Sequence, residues 1–309
     1  TTSTNWEMLE HYLLPQLRHF RTIGQYLKLS AQYRGHPMAK ATLEAALWDL
    51  LAQSQSRPLF RLWGGTKNKI GCGVSVGLQK DRNALIQKIA DHLKEGYQRI
   101  KIKIKPGKDR DLLETIRGEF PDIPLMADAN AAYNLTDVEL LKSLDPYHLM
   151  MIEQPLYYED IFEHSKLAPQ LSTPICLDES IVSLRAAEAA LALKSCRIIN
   201  IKTGRVGGHT ESIRIHDLAA KNNIPVWCGG MLESGIGRAH NLALASLPNF
   251  TLPGDTSASS RYWHRDVIVP PVTIDAQGFA VLPEKPGMGF EIDIPYLDSL
   301  TSKRANIAF

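Results

Sequence analysis

Eight short apolar runs, separated by longer amphipathic stretches, dominate the chain from residue 70 onward. The runs occupy 70–78, 99–104, 123–128, 148–153, 173–178, 197–202, 224–229 and 250–255. Regular alternation of strand and helix is typical of a parallel sheet covered by helices. Eight such units within residues 70–309 predict an α/β protein with a closed (β/α)8-type barrel, which typically needs about 250 residues.

The two ends of the chain depart from this alternation. Residues 6–66 read as helical, and the apolar spacing in one stretch predicts a helix with a single buried stripe made of Leu43, Ala46, Leu47, Leu50 and Leu51. At the other end, VTIDAQGFAVL (272–282) reads as two short strands around an Ala-Gln-Gly turn. We expect this C-terminal tail to leave the barrel and pack on the N-terminal helical region.

Composition excludes several classes of function. The net charge is +2, so no general basic surface favours nucleic acid or membrane. No apolar run reaches the roughly 18 residues that a membrane helix needs. The four cysteines, Cys72, Cys176, Cys196 and Cys228, have no CxxC or paired spacing, which indicates reduced thiols in a cytoplasmic protein.

Charged residues stand near the ends of the second to sixth runs at an almost constant interval. They are separated by 25, 25, 25 and 24 residues, and they are Lys103, Asp128, Glu153, Asp178 and Lys202. The carboxyl ends of parallel barrel strands converge on one mouth, where barrel enzymes hold their active sites. One mouth should therefore carry, in order, a lysine, three carboxylates and a lysine.

The three carboxylates predict a metal site. Any one of them alone could equally form a salt bridge or cap a helix, but three anions side by side in a partly dry site would repel each other. A divalent cation removes that repulsion. Oxygen ligands without histidine or cysteine favour a hard ion, Mg²⁺ first and Mn²⁺ second, and disfavour zinc.

The lysines lie in the segment RIKIKIKPGKD (99–109), where Lys and Ile alternate. A strand places alternate side chains on opposite faces, so one face is all lysine. Such a face can simply be solvated, as a guard on an edge strand. The neighbouring carboxylates favour a lysine face that points into the barrel mouth at Lys101 and Lys103, with Lys105 solvated in the loop.

In a ring of eight strands, the second and sixth lie opposite each other, so Lys103 and Lys202 can approach a substrate from two sides. A nearby metal and partial burial lower the pKa of a lysine toward that of a usable base. These parts predict removal of the proton α to a metal-bound carboxylate, giving an enediolate that the metal and the second lysine stabilise.

Most of the chain, from residue 34 to 262, resembles the o-succinylbenzoate synthase / N-succinylamino acid racemase family of the enolase superfamily. The matching segments are RGHPMAKATLEAALWDL, KIKIKPG, DANAAY, EQPL, LDES, NIKTGRVGG, GGMLESGIGRAHN and TLPGDTSASSRY. The resemblance implies a Mg²⁺-dependent enzyme with a lysine base. It implies a modified (β/α)7β TIM-type barrel together with an α+β capping domain that the C-terminal tail completes.

The resemblance also implies roles for individual residues. The metal ligands would be Asp128, Glu153 and Asp178, and the acid–base lysines Lys103 and Lys202. A further set would line the substrate site, namely Lys101, Asn130, Gly229, Gly230 and Met231.

The domain organisation follows from the same resemblance. We expect the helical part of the capping domain at 1–66, the barrel at 67–262 and the returning tail at 263–309. Family members carry cap strands upstream, so we expect further residues to precede this chain in the native protein.

Several functions stay open from the sequence. Dehydration to o-succinylbenzoate, a step of menaquinone synthesis, and racemisation of N-succinyl amino acids share their first step. A dipeptide epimerase is a further possibility, although Gly254-Asp255-Thr256-Ser257 lacks the Asp-x-Asp that it implies. A Schiff-base aldolase using Lys202 and an inactive fragment or binding scaffold are alternatives of other classes. We expect a small-molecule carboxylate as substrate, no nucleic-acid or membrane partner, and a homo-oligomer.

Overall fold

The computed structural model describes residues 1–307. Within it, the N-terminal helical region, residues 1–66, contains helices of three kinds and no strand. The region consists of α1 (Thr2–Met8), a π-helical turn (Leu9–Leu13), a 3-10 turn (Leu14–His19), α2 (Ile23–Ser30), α3 (Pro37–Ser54) and α4 (Leu59–Leu62). Thr22 and Gln25 form a capping box that starts α2, and Pro37 at the first turn starts α3.

The prediction of one buried stripe on α3 is wrong. Leu43 is buried, but Leu50 is 62% exposed, and the other buried residues of the helix include Ala39 and Ala52. The reason is that α3 packs in two directions. Leu43 belongs to a small core among the N-terminal helices, whereas Ala52 joins the large core around the barrel.

Seven parallel strands form the barrel wall, and their spatial order matches their order along the chain. They are β2 (Gly73–Val76), β3 (Arg99–Lys103), β4 (Leu125–Asp128), β5 (Ile152–Glu153), β6 (Ile175–Leu177), β7 (Ile198–Ile201) and β8 (Val226–Cys228). A short strand before them, β1 (Lys69–Gly71), belongs to a different sheet. The first predicted run, 70–78, is therefore two strands separated at Cys72.

The eighth predicted run, 250–255, closes the barrel without forming a regular strand. The Asp255 N–H donates to the Cys228 carbonyl (2.9 Å), and the Gly73 N–H donates to the Gly254 carbonyl (2.7 Å). Pro253 has no N–H to offer a strand ladder. The segment thus joins the two edges, β8 and β2, through isolated bridges rather than a continuous ladder.

Helices cover the outside of the barrel. They are α5 (Arg82–Lys94), α6 (Asp109–Glu119), α7 (Val138–Lys142), α8 (Phe162–Leu167), α9 (Leu184–Ala192), α10 (Thr203–Val206), α11 (His209–Lys221) and α12 (Gly235–Ala245). Side chains cap α5 and α9, since Asp81 accepts from Ala84 N and Ser183 from Ala186 N. None of the helices within residues 1–307 is long and apolar enough to span a membrane.

The two faces of the barrel strands carry different side chains. Ile100, Ile102 and Ile104 are 0%, 1% and 5% exposed and belong to the core between strands and helices. A second, smaller core fills the barrel interior and consists of Met126, Met151, Cys176, Ile198 and Trp227. The isoleucine face therefore packs outward, as predicted, and the four cysteines are free and buried.

The C-terminal tail forms two small antiparallel sheets and a helix. Strand β9 (Ile268–Val269) pairs with β11 (Glu291–Ile292), β10 (Phe279–Val281) pairs with β1, and α13 (Ile294–Leu300) follows. The predicted hairpin at 272–282 is reduced to a turn with a single bridge between Ile274 and Ala280, because β10 pairs with β1 instead.

The tail also contacts the N-terminal helical region. Met288 N donates to Asp49 Oδ1 (2.6 Å), and Lys303 Nζ donates to Glu10 Oε2 (2.9 Å). These contacts support the expected return of the tail to that region, while the domain boundaries stay predictions. The last two residues of the predicted tail, Ala308 and Phe309, lie outside the described part of the chain.

Two histidines, His209 and His240, are buried side by side in the fold. His209 and His240 stack with ring centroids 5.0 Å apart, and the Trp63 ring lies next to both, 4.5 Å from His209 and 6.5 Å from His240. Burial lowers the pKa of both histidines, to about 4 for His240. Both therefore bind a proton less readily in the folded protein than in an unfolded chain, which protonates histidine below about 6.5.

The free energy of unfolding should fall as the pH drops from 6.5 toward 4, since the unfolded state binds more protons in that window. His240 alone should contribute a loss of about 2 kcal/mol between pH 7 and 5. Urea unfolding at both pH values of the wild type and of His240→Gln measures this. The variant should lose less stability on acidification, and an identical pH slope in both proteins would contradict the assignment.

Candidate active site

The strand register brings the predicted charged residues together. Lys103 on β3 lies beside Asp128 on β4, and Asp128 lies beside Glu153 on β5. Asp178 follows β6 directly, and Lys202 follows β7 directly. The three carboxylates are 2%, 0% and 1% exposed in chain order, so they form a buried row at the carboxyl ends of adjacent strands.

Each end of the carboxylate row meets one of the two predicted acid–base lysines. Lys103 Nζ lies 2.8 Å from Asp128 Oδ2, and Lys202 Nζ lies 2.6 Å from Asp178 Oδ2. Their surroundings differ, because the Lys103 side chain is 44% exposed and that of Lys202 is 12% exposed. The two ammonium groups thus approach the row from opposite ends.

Lys101 lies deeper in the barrel, among three carboxylates. Its Nζ is 2.7 Å from Asp255 Oδ2, 3.2 Å from Glu153 Oε2 and 3.6 Å from Asp128 Oδ2. Burial by itself lowers the pKa of Lys101, but the attraction of these carboxylates outweighs it and holds the pKa above its usual value. This environment favours the protonated form of Lys101 and makes it a poor base.

Glu153, in the middle of the row, is fully buried. Burial raises the pKa of its carboxyl group, Lys101 opposes the shift, and the neighbouring Asp128 and Asp178 add to it. Asn200 Nδ2 donates to Glu153 Oε1 (2.7 Å). An acidic group held at this depth needs positive charge around it to stay ionised.

The remaining predicted residues border the two lysines. Asn130 has a left-handed backbone (φ 43°), accepts from Lys103 Nζ through Oδ1, and donates to Glu179 Oε1 (3.2 Å). On the opposite side, a Cβ on Gly229 would overlap Asn200 Oδ1 and approach Lys202 Cε to 2.7 Å. Glycine is therefore required where the β8 loop passes Lys202.

Gly230 and Met231 continue this loop. A Cβ on Gly230 would lie 2.8 Å from the carbonyl oxygen of Asp255, and one on Gly204 would lie 3.5 Å from Met231 Sδ. The Met231 N–H donates to Glu233 Oε1 (2.9 Å). The segment therefore sits between the eighth run and the turn after Lys202.

Sequence reasoning missed three charged or polar groups of this site. Asp255 accepts from Lys101 and from Arg99 Nη2 (2.9 Å), and Lys101 and Arg99 lower its pKa although burial opposes this. Arg99 also lies over the Trp227 ring, with 5.0 Å between Cζ and the centroid. The signal was the alternation itself, because Arg99 and Asn200 precede Lys101 and Lys202 by two residues on the same strand face.

A fourth missed residue is Arg205, whose Nη1 contacts Asp178 Oδ1. It stands three residues after Lys202, beyond the end of β7, so strand alternation gave no indication of it. Lys202 and Arg205 together surround Asp178 with positive charge.

The donor set fits a hard divalent cation by its chemistry, since it consists of three buried carboxylates. Their oxygens also contact lysine and arginine cations. No three His, Cys, Asp or Glu side chains within residues 1–307 are grouped closely enough to hold an ion as they stand. The positive charge that these carboxylates require is thus supplied here by Lys101, Lys103, Lys202 and Arg205.

Known proteins are similar to this chain over nearly its whole length. The o-succinylbenzoate synthase of Geobacillus kaustophilus is 53% identical over 295 residues, which are 95% of this chain and 78% of that protein. The N-succinylamino acid racemase of Thermus thermophilus is 45% identical over 298 residues, 94% of this chain and 80% of the relative.

A solved structure gives the same answer for the fold. An enolase superfamily member from Listeria innocua superposes with a TM-score of 0.93 at 43% identity, covering 98% of this chain and 82% of that one. Residues 84–296 match the family described as Enolase C-terminal domain-like. The chain therefore belongs to the enolase superfamily and, within it, to the family of o-succinylbenzoate synthases and N-succinylamino acid racemases.

Proposed function

We propose that this chain is an enzyme that removes the proton α to a carboxylate, acting as an o-succinylbenzoate synthase, an N-succinylamino acid racemase or both. One observation carries the proposal: two lysines meet a buried row of three carboxylates from opposite ends. The names of the relatives support both activities. The absence of a second Asp in Gly254-Asp255-Thr256-Ser257 argues against dipeptide epimerisation.

Lys103 and Lys202 would move the proton, each on its own side of the substrate's α-carbon. Racemisation needs both, because a proton leaves one face and returns on the other. Dehydration can use one lysine to take the proton and then give it to the departing hydroxyl, while the other lysine holds charge. Lys101, held in its protonated form by the surrounding carboxylates, would stabilise the negative charge that develops on the substrate carboxylate.

Asp128, Glu153 and Asp178 would hold Mg²⁺, with Mn²⁺ as a substitute. Their support is an all-oxygen donor set and burial that demands positive charge. When bound, the ion supplies a Lewis acid for the substrate carboxylate. Asn130, Gly229, Gly230 and Met231, which border the two lysines, would contact the rest of the substrate.

The direct test is turnover. The protein with Mg²⁺ is incubated with 2-succinyl-6-hydroxy-2,4-cyclohexadiene-1-carboxylate and, separately, with single enantiomers of N-succinyl amino acids. Formation of o-succinylbenzoate or loss of optical activity is expected, and the double variant Lys103→Ala/Lys202→Ala serves as the inactive control. A folded sample that binds Mg²⁺ but performs neither reaction would overturn the proposal in favour of a binding scaffold.

The same proposal covers the compartment, the partners and the oligomeric state of the enzyme. Four free, buried cysteines support a reducing compartment, for which we propose the cytoplasm. A small carboxylate is the proposed partner, without nucleic acid or membrane. The predicted homo-oligomer can be checked by light scattering on the purified protein.

A further inference from the structure

Glu44 on α3 is a buried carboxylate outside the site described above. It is 1% exposed, and its Oε1 accepts from Thr210 N (2.8 Å), Thr210 Oγ1 (2.5 Å) and Trp48 Nε1 (3.0 Å). Its Oε2 is buried without a hydrogen-bond partner among residues 1–307. Burying a carboxylate costs free energy, which the hydrogen bonds to Thr210 and Trp48 must offset.

Through Thr210, Glu44 binds the first turn of the barrel helix α11. The first N–H groups of a helix lack partners inside the helix, and a carboxylate there also interacts favourably with the helix dipole. The N-cap residue, Gly208, has no side chain with which to cap. Glu44 supplies the missing cap from the N-terminal helical region.

Gly208 is shaped to receive Glu44. Its φ is 143°, a conformation that side chains rarely adopt, and a Cβ there would overlap Glu44 Oε2. The contact between α3 and α11 is therefore close, and it requires both a side-chain acceptor at residue 44 and the glycine.

This contact reaches Lys202 through a single helical turn. The Arg205 N–H donates to the Lys202 carbonyl (2.9 Å), and the Gly207 and Gly208 N–H groups donate to the Thr203 carbonyl (3.2 and 3.1 Å). The start of α3 also touches this turn, since a Cβ on Gly204 would lie 3.6 Å from Met38 Cγ. The backbone from Lys202 to Thr210 is thus one hydrogen-bonded unit seated on α3.

Lys103 is held in another way. It lies on β3, between β2 and β4 in the barrel wall, and its ammonium group contacts Asp128 and Asn130. Both lysines thus extend from strands of the ladder, and Lys202 has the turn on α3 as an additional support.

We propose that Glu44 is a positioning residue for Lys202, and that it supports proton transfer on the Lys202 side of the substrate but not on the Lys103 side. The inference rests on the proposed function, because it assigns one of the two proton carriers to the N-terminal helical region. Small displacements of a positioned group cost about 10- to 100-fold in rate.

The test is deuterium exchange of each enantiomer of an N-succinyl amino acid in heavy water with Mg²⁺. The Lys202 side is defined by the enantiomer that stops exchanging in Lys202→Ala. In Glu44→Ala, that enantiomer should exchange about 10-fold more slowly or worse, while the other changes by less than about threefold. Glu44→Gln, which keeps the acceptor for Thr210, should restore most of the rate.

Asp49→Asn is the matched control. Asp49 lies on the same helix and also accepts a backbone N–H, but from Met288 in the tail. The Asp49→Asn substitution should leave the ratio of the exchange rates of the two enantiomers unchanged. Equal slowing of both enantiomers in Glu44→Ala would overturn the proposal, since a general loss of structure affects both sides. If Glu44→Ala does not fold, Glu44→Asp withdraws the carboxylate by one methylene and is judged by the same ratio.

Backbone hydrogen exchange separates this proposal from the proposed function. If the wild type exchanges neither enantiomer, the racemase part of the proposed function fails, and amide exchange by mass spectrometry still reports on the contact. Faster exchange at 202–210 in Glu44→Ala, with 99–105 unchanged, supports Glu44 as the support of the Lys202 segment. Unchanged or uniformly faster exchange rejects it.

Discussion

Lys202→Ala should abolish racemisation of an N-succinyl amino acid and yet leave one enantiomer able to exchange its α-proton for deuterium. Lys202 and Lys103 meet the carboxylate row from opposite ends, 2.6 Å from Asp178 and 2.8 Å from Asp128. With one carrier removed, a proton can still leave and return on the remaining side. Positioned acid–base groups contribute roughly 10²- to 10⁴-fold each, so the loss of racemisation should be at least of that size.

Lys103→Ala should show the reverse preference, with exchange confined to the other enantiomer. Chiral chromatography combined with mass spectrometry measures racemisation and deuterium content in one sample. Lys105→Ala is the matched control, because Lys105 continues the same alternation but is exposed in the loop. Wild-type racemisation in Lys202→Ala, or exchange of the same enantiomer in both variants, would show that the lysines do not serve two faces.

Removal of divalent metal should abolish activity, and Mg²⁺ or Mn²⁺ should restore it. The reason is the row of three buried carboxylates, for which all-oxygen ligation favours a hard cation. Asp178→Asn removes one ligand charge and should weaken Mg²⁺ binding by about 10-fold or more. Isothermal titration calorimetry measures the affinity independently of turnover.

Asp145→Asn provides the control for this experiment. Asp145 accepts from the Ser172 and Thr173 N–H groups at the start of β6, the opposite end of the strand that leads to Asp178. The substitution should lower thermal stability without changing Mg²⁺ affinity. Full activity in a rigorously metal-free sample, or equal Mg²⁺ affinity in Asp178→Asn and wild type, would refute the ligand assignment.

The prediction on the two lysines and the prediction on the metal can be contradicted independently of each other. A protein with opposed lysines but no metal requirement would keep the stereochemical pattern and lose the assignment of the carboxylates. A metal enzyme with one working lysine would keep the metal requirement and show exchange of a single enantiomer in the wild type. Together they separate the acid–base part of the proposed site from its charge-stabilising part.

Local spacing explains why so much of the site could be read from the sequence. Residues at the same point of successive strand–helix units arrive at the same barrel mouth, so Lys103, Asp128 and Glu153 become direct neighbours. Strand alternation likewise placed Ile100 and Ile102 outward and Lys101 inward. Arg99 and Asn200 obey the same alternation, and the sequence could have indicated them.

Other features depended on contacts between distant segments, which no local pattern encodes. The stripe on α3 was mispredicted because that helix packs against two cores, and Leu50 is left exposed. The eighth run lies in the barrel wall as predicted, but it forms isolated bridges and no regular strand, since Pro253 has no N–H to donate.

The sequence by itself determined the order of strands and helices and the register of the charged strand ends, because both follow from periodicity, and residue type led to the prediction of a hard metal at the carboxylates. Only the tertiary structure decided which cations meet those carboxylates, and that Asp255, 154 residues after Lys101, holds it in place. It alone placed Glu44 at the start of α11, 166 residues away along the chain. A hydrogen bond between remote segments depends on how whole elements pack, and a sequence records that packing in no single local pattern.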